Sequence, residues 1–276
     1  MILMSGKELS ATIREQVATD IVKDKLSLCL AVILIGSDPA SEKYVGIKER
    51  ACMAVGIDFK MFRFKENDKQ ALVLQLIQKL NNDNKITGII VQLPIPVVFD
   101  TNELLEAIAP AKDVDGLNSI NLGRLMKRMP GLFPATPEGV INLCKYYQIP
   151  LVGSKVAMVG QSNLVGRPLS IMLLNEKSTV SIASSKTKNL KELTLNSDIV
   201  ISAVGKPSLI KASMLNKGTV VIDIGTSVIE GKIVGDVDFD KVSKKASYIT
   251  PSIGGVGPMT VAMLISNTLK AYRLDN

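Results

Sequence analysis

Tyr44 and Lys48 are the first residues of this chain whose types and spacing suit catalysis. Four apart on a helix, they stack on one face, one turn from each other. A lysine ordinarily titrates near about 10.4, and burial in an apolar cleft would lower that far enough to make Lys48 a general base or acid. The same spacing also suits a solvated lysine beside a half-buried tyrosine. The chain of 276 residues contains no histidine. That removes the Ser-His-Asp triad, the Cys-His pair and histidine-based metal sites. Proton transfer near neutral pH then falls to Lys, Tyr, Asp, Glu or a thiol with a shifted pKa.

Four further segments carry chemical potential. In Val91-Gln92-Leu93-Pro94 the amide of Gln92 ends an apolar run, where open α/β sheets bind ligands. A glutamine there can pair with both donors and acceptors of a heterocycle, or simply cap the next loop. Lys112-Asp113-Val114-Asp115-Gly116 sets two acids before a glycine. A carboxylate in such a loop can accept two hydrogen bonds from a heterocycle's amino and ring N–H groups, or belong to a solvated turn. It has too few ligands for calcium. Val159-Gly160-Gln161-Ser162-Asn163-Leu164-Val165-Gly166-Arg167-Pro168 follows a strand and opens a helix, the context in which backbone N–H groups bind phosphate. The common G-x-G-x-x-G spacing is absent, and a structural turn fits the segment too. Ile253-Gly254-Gly255-Val256-Gly257-Pro258-Met259-Thr260 allows close backbone approach to a ligand, or a hinge.

The elements that must position these residues alternate. Leu28–Ile35 reads as a buried parallel strand. Asp38 and Pro39 cap and open a helix that runs to about Val55 and stops at Gly56. A strand over Phe59–Phe64, a helix over Lys69–Leu80 and a strand over Ile86–Val91 follow. Residues 110–135 lack a long periodic element, and a domain crossing is expected there. A helix opening at Thr136-Pro137-Glu138 starts a second series. Its strands are expected at Lys155–Val159, Thr179–Ala183, Asp198–Val204 and Thr219–Ile224, with a helix over Gly166–Leu174 and a closing helix from Pro258 to Leu274. The rhythm predicts an α/β fold with parallel sheets covered by helices.

Hydrophobic residues make up 46% of the chain, enough for a substantial core. Cys29, Cys52 and Cys144 form no CxxC and fit buried thiols in a reducing compartment. The N-terminal MILMSGKELS lacks a signal peptide's apolar stretch, and no run approaches a membrane span, so a cytoplasmic protein is expected. Residues 1–134 hold 17 Lys and Arg against 16 Asp and Glu, whereas residues 135–276 hold 16 against 10. A basic second half suits an anionic partner. With 4% aromatics, no Trp and dispersed charge, a phosphate-bearing cofactor is favoured over nucleic acid.

The order of these motifs resembles that of the methylene-tetrahydrofolate dehydrogenase/cyclohydrolase family. The resemblance is carried by Gly36-Ser37-Asp38-Pro39-Ala40-Ser41 with Tyr44-Val45 and Lys48, and by Gly88-Ile89-Ile90-Val91-Gln92-Leu93-Pro94. Lys112 through Gly116 and Gly254 through Thr260 complete it, over almost the whole chain. It implies a folate-binding α/β domain of residues 1–134 and 257–276, to which the C-terminal helix returns, and a Rossmann-type NAD(P) domain of residues 135–256. By the same resemblance Lys48 is the catalytic lysine, Tyr44 stacks on the folate, Gln92 tunes Lys48 and Asp115 anchors the pterin. Val91, Leu93, Pro251, Ile253, Gly254 and Gly255 fall at substrate positions. Gly160, Gln161, Ser162, Val165, Gly166, Ser185 and Thr226 fall at cofactor positions, and no metal is implied.

The implied activity is oxidation of 5,10-methylenetetrahydrofolate with NADP and hydrolysis of the product to 10-formyltetrahydrofolate. It belongs to one-carbon metabolism and purine biosynthesis, and the implied assembly is a homodimer. Four departures from the family pattern stand out: Gln161 for an arginine, Ala183-Ser184-Ser185-Lys186, Gly225-Thr226-Ser227 and Pro251-Ser252-Ile253. The first two bear on the 2′-phosphate, for which Ser185, Lys186 and Lys188 offer another site, so NAD stays an alternative in a dehydrogenase-only folate enzyme. Two other readings are an amino- or hydroxy-acid dehydrogenase and a nucleic-acid-binding protein. The Gln92 and Asp115 motifs with zero histidines argue against the first, and the even charge dispersion against the second.

Overall fold

The computed structural model describes residues 1–275. The chain begins with β1 (Ile2–Leu3), α1 (Lys7–Asp24), β2 (Leu28–Ile35), α2 (Pro39–Ala54), β3 (Ile57–Phe64), α3 (Gln70–Asn81) and β4 (Gly88–Val91). It continues with α4 (Thr101–Glu106), α5 (Ser119–Met126), α6 (Ala135–Tyr146), β5 (Lys155–Val159), α7 (Gly166–Asn175) and β6 (Thr179–Ala183). After α8 (Leu190–Leu195), β7 (Ile199–Ser202) and β8 (Val220–Asp223) come the short β9 (Ser227–Ile229) and β10 (Lys232–Val234). Then α9 (Phe239–Val242), β11 (Tyr248–Ile249) and α10 (Val256–Asp275) end the described chain. Two compact units divide it: residues 11–135 with the chain from Val261 on, and residues 1–10 with 136–260.

The unit of residues 11–135 is built on a parallel sheet of order β3-β2-β4. All eight residues of β2 are apolar and buried, as a central strand covered on both faces requires. Ile33, Val73, Ile77, Ile89, Val91 and Leu104 belong to its core. Each such side chain contributes roughly 1.5–3 kcal/mol on burial. Asp38 caps α2 as its sequence demands, its carboxylate accepting from the Ser41 N–H at 2.8 Å. The helix ends at Ala54 with Val55 as its C-cap, and the chain turns at Gly56, with φ of +84°.

The other unit holds a six-stranded sheet of order β1-β11-β8-β7-β5-β6, with every pair parallel. From β5 the chain goes outward to β6 and then returns to β7 on the other side of β5. The crevice at the carboxyl ends of β5 and β7 is therefore a topological switch point, where sheets of this kind bind ligands.

Some local expectations shift. The last helix begins at Val256 rather than Pro258. Pro258 is accommodated because the first-turn N–H groups have no intrahelical partner. The 110–135 stretch contains the eight-residue α5, capped by Asn118, and the boundary between units falls at its far end. Helix α1, the β9–β10 hairpin and the short β1 have no counterpart in the sequence reading. All three cysteines are free and buried. Among the described residues no helix is long and apolar enough to cross a membrane.

Candidate active site

Lys48 is a lysine at a buried position in the unit of residues 11–135. The stripe of α2 that faces inward is Ser41, Val45, Lys48, Ala51 and Cys52, a spacing of three and four that turns one helix face to the core. Lys48 takes a core position in that stripe and is 8% exposed. Burial lowers its pKa below the ordinary lysine value, while the Asp115 carboxylate acts in the opposite direction. Its Nζ donates to Gln92 Oε1 at 2.9 Å. Tyr44, one turn earlier, is 43% exposed. Cys52, one turn later, has its thiol pushed up to about 12 by burial, so it stays protonated and neutral.

The sheet fixes Gln92. The register of β4 on β2 pairs Val91 with Ile33, and the Gln92 N–H extends that ladder by donating to the Ile33 carbonyl at 2.8 Å. Its side-chain Nε2 donates to the Leu93 carbonyl at 2.6 Å. The amide is thereby oriented with its oxygen toward Lys48. A neutral amide oxygen accepts from the amine without adding charge, so burial remains the largest influence on Lys48 and the shift is downward. Val91 is buried and Leu93 half-buried beside it.

Asp113 and Asp115 differ in environment although only Val114 separates them. The Ile89 N–H donates to the Lys112 carbonyl at 2.7 Å, and Asp113 bridges to Ile89, so this segment runs along β4. Asp113 is 1% exposed and accepts from the Asn118 N–H at 2.8 Å and from Asn121 Nδ2 at 3.0 Å. Burial pushes its pKa up to about 6 against those donors. Asp113 is thus a structural anchor. Asp115 stays half-buried, and its charge is felt at Lys48. Asn267 of α10 secures the segment: its Nδ2 donates to the Val114 carbonyl at 3.0 Å and to the Phe133 carbonyl at 2.8 Å. Nothing in the sequence reading singled out Asn267. Its place on an otherwise apolar helix face is the signal that would have found it.

The dinucleotide-type loop lies in the other unit, between β5 and the ten-residue α7. A side chain on Gly166 would strike the Gly160 backbone, and one on Gly160, with φ of +120°, would strike the Ala203 carbonyl. The two glycines therefore let the loop fold tightly across the end of the sheet. Gln161 and Ser162 are exposed, Val165 is half-buried, and Ser162 Oγ accepts from the Val165 N–H at 3.2 Å. The positive end of α7 and its backbone donors suit a pyrophosphate. Ser185 and Thr226 are exposed on the loops after β6 and β8. Pro251, Ile253, Gly254 and Gly255 fall in this same unit, with Ile253 65% exposed and Gly254 Cα at φ of +82°. Among the described residues no group of three or more Cys, Asp or Glu is placed to hold a metal ion.

A chain with a Rossmann-type sheet, a phosphate-type loop on it and a buried Lys–Gln pair in a second α/β unit has the parts of a dinucleotide-linked enzyme with its own proton-transfer group. The match to known proteins is specific. Residues 4–115 match the family model of the tetrahydrofolate dehydrogenase/cyclohydrolase catalytic domain, and residues 134–276 match that of its NAD(P)-binding domain. The chain belongs to the tetrahydrofolate dehydrogenase/cyclohydrolase family. It is 47% identical to the bifunctional protein FolD of Campylobacter fetus subsp. fetus over 277 residues, covering 99% of this chain and 98% of that one. Among solved structures, the bifunctional FolD of Campylobacter jejuni superposes with a TM-score of 0.97 at 45% identity, with both chains fully covered. The Trypanosoma brucei methylenetetrahydrofolate dehydrogenase-cyclohydrolase, solved with NADP and an inhibitor, gives a TM-score of 0.95 at 31% identity, covering 100% of this chain and 98% of that one.

Proposed function

We propose that this chain oxidises 5,10-methylenetetrahydrofolate to 5,10-methenyltetrahydrofolate with NADP and then hydrolyses that product to 10-formyltetrahydrofolate. The observation that carries the reading is the buried Lys48 Nζ held at 2.9 Å from Gln92 Oε1. Family membership and the bifunctional relatives support it. In the first reaction hydride leaves a carbon flanked by two nitrogens, which stabilise the resulting cation. Positioning of that carbon is the protein's main task. Bound NADP supplies the hydride acceptor. Gly160, Gln161, Ser162, Val165 and Gly166 would hold its pyrophosphate, with Ser185 and Thr226 as further contacts, and Lys186 and Lys188 near Ser185 favour NADP over NAD.

In the second reaction water attacks the methenyl carbon. Uncharged Lys48 accepts one proton of the water and returns it to the folate nitrogen that leaves as the ring opens, while the remaining hydroxyl proton passes to solvent as the formyl carbonyl forms. The cationic substrate further lowers the lysine's pKa by like-charge repulsion. Gln92 orients the amine, Tyr44 stacks on the folate, and Asp115 accepts from the pterin's N–H groups. Val91 and Leu93, with Pro251, Ile253, Gly254 and Gly255, complete the substrate contacts. The folate domain is assigned residues 1–134 and 257–276, and the cofactor domain residues 135–256.

The same reading makes the chain a cytoplasmic homodimer that feeds one-carbon units to purine biosynthesis. Strand β6 is a free edge of the six-stranded sheet with Ile182 48% exposed, a surface suited to pairing with a second copy. Purified protein given 5,10-methylenetetrahydrofolate and NADP is expected to reduce the nicotinamide, followed by its fluorescence. No reduction with either NADP or NAD would sink the dehydrogenase assignment.

A further inference from the structure

Asp236 is fully buried, with 0% of its surface exposed, and the folate and phosphate motifs leave it without a role. Its carboxylate accepts three hydrogen bonds from the end of β7 and the loop that follows it. Oδ2 accepts from Ser202 Oγ and from the Val204 N–H, both at 2.8 Å, and Oδ1 accepts from the Lys206 N–H at 2.7 Å. Its own N–H donates to Asp223 Oδ1 at 3.0 Å, and the Val237 N–H donates to Asp223 Oδ2 at 3.1 Å. The carboxyl ends of β7 and β8 are thus tied together through two carboxylates in series. Backbone approach is close enough that a side chain on Gly225 would strike the Asp236 carboxyl, and one on Gly235 would strike that of Asp223. Five strong donor–acceptor contacts around two buried acids are a costly arrangement to leave half-made, because each unpaired buried carboxylate would carry its full desolvation penalty.

The loop so held, Val204–Lys206, has a particular position. On one side Ala203 and Val204 pack against Gly160, the first glycine of the phosphate-type loop. On the other, Ser227 Oγ donates to the Gly205 carbonyl at 3.0 Å, joining it to the Thr226 segment. It therefore lies between two groups of residues assigned above to the dinucleotide.

We propose that Asp236 is a positioning residue for the dinucleotide, fixing the Val204–Lys206 loop between Gly160 and Thr226. The inference rests on the cofactor assignment made under the proposed function. Asp236→Asn keeps the shape but sets an NH₂ against at least one N–H or O–H donor, so the loop must shift. The test measures NADP binding to the full-length protein by calorimetry, beside the cyclohydrolase rate, which needs no cofactor. Asp236→Asn is expected to weaken NADP binding at least tenfold and to leave the cyclohydrolase rate within twofold of wild type. NADP affinity within twofold of wild type, or an equal loss of both properties, would overturn it. If Asp236→Asn does not accumulate as folded protein, Ser202→Ala removes one of the three bonds. It is expected to weaken NADP binding about threefold, less than Asp236→Asn because the two backbone donors stay paired, with unchanged hydrolysis, and an unchanged affinity would overturn the proposal. A wild-type chain that binds neither NADP nor NAD would instead overturn the cofactor assignment, before any variant is compared.

Discussion

Lys48 and Asp236 are both buried ionisable groups, one in each compact unit, and they are treated in opposite ways. Lys48 lies among apolar neighbours and donates to a neutral amide, so burial wins and its pKa falls. Asp236 receives three donors, Ser202 Oγ at the end of β7 and two backbone N–H groups of the loop after it. A group kept short of charged partners can change protonation and move protons. A group saturated by backbone donors fixes the backbone that supplies them. Lys48 thus serves chemistry and Asp236 geometry, and Asp113, in the same unit as Lys48, is held by donors in the way Asp236 is.

The largest break in this contrast is expected from Lys48→Met. It keeps the length and apolar body of the side chain and removes the amine, so hydrolysis should fall about 10²–10⁴-fold, the usual worth of a general base. NADP affinity by calorimetry should not change. A variant that hydrolyses methenyltetrahydrofolate at the wild-type rate would refute the role of Lys48.

A middling effect is expected on the folate side where geometry, not protonation, is at stake. Asn267→Ala strips the donor from the Val114 and Phe133 carbonyls. Leaving buried acceptors unpaired costs roughly 1–3 kcal/mol, which would appear as a lower melting temperature. Loosening of the adjacent Asp115 should also raise the folate KM about tenfold, the equivalent of roughly 1.4 kcal/mol, with the NADP affinity unchanged. Unchanged folate KM together with a lowered melting temperature would make Asn267 a purely structural clamp.

Much of the frame was legible in the residues. The uninterrupted apolar run Leu28–Ile35 can only be a covered strand, and the Asp38-Pro39 pair leaves little choice for the start of α2. Helix α1 was not legible, because its buried positions Ser10, Val17 and Ile21 form a thin stripe broken by polar residues. The β9–β10 hairpin turns on Glu230 and Gly231, both with positive φ, and a glutamate is a weak signal for such a turn. The site divides along the same line. Gln92 and the Gly160–Gly166 loop follow from strand ends, which sequence marks well. The burial of Lys48 could have been read from its stripe with Val45 and Cys52, but a single charged residue at a core position ordinarily argues against burial. The Asp223–Asp236 latch depends on three strand ends meeting in space, and no local spacing encodes that.

The central claim is that Lys48 works as an uncharged base because its partner is neutral. The pH profile of methenyltetrahydrofolate hydrolysis tests it most directly, wild type against Gln92→Glu. A base with a lowered pKa is inactive when protonated, so the wild-type rate should rise with pH to a midpoint below the ordinary lysine value of 10.5. A carboxylate at position 92 favours the charged amine, so the variant's midpoint should move up by about one unit or more. The same midpoint in both proteins would contradict the account.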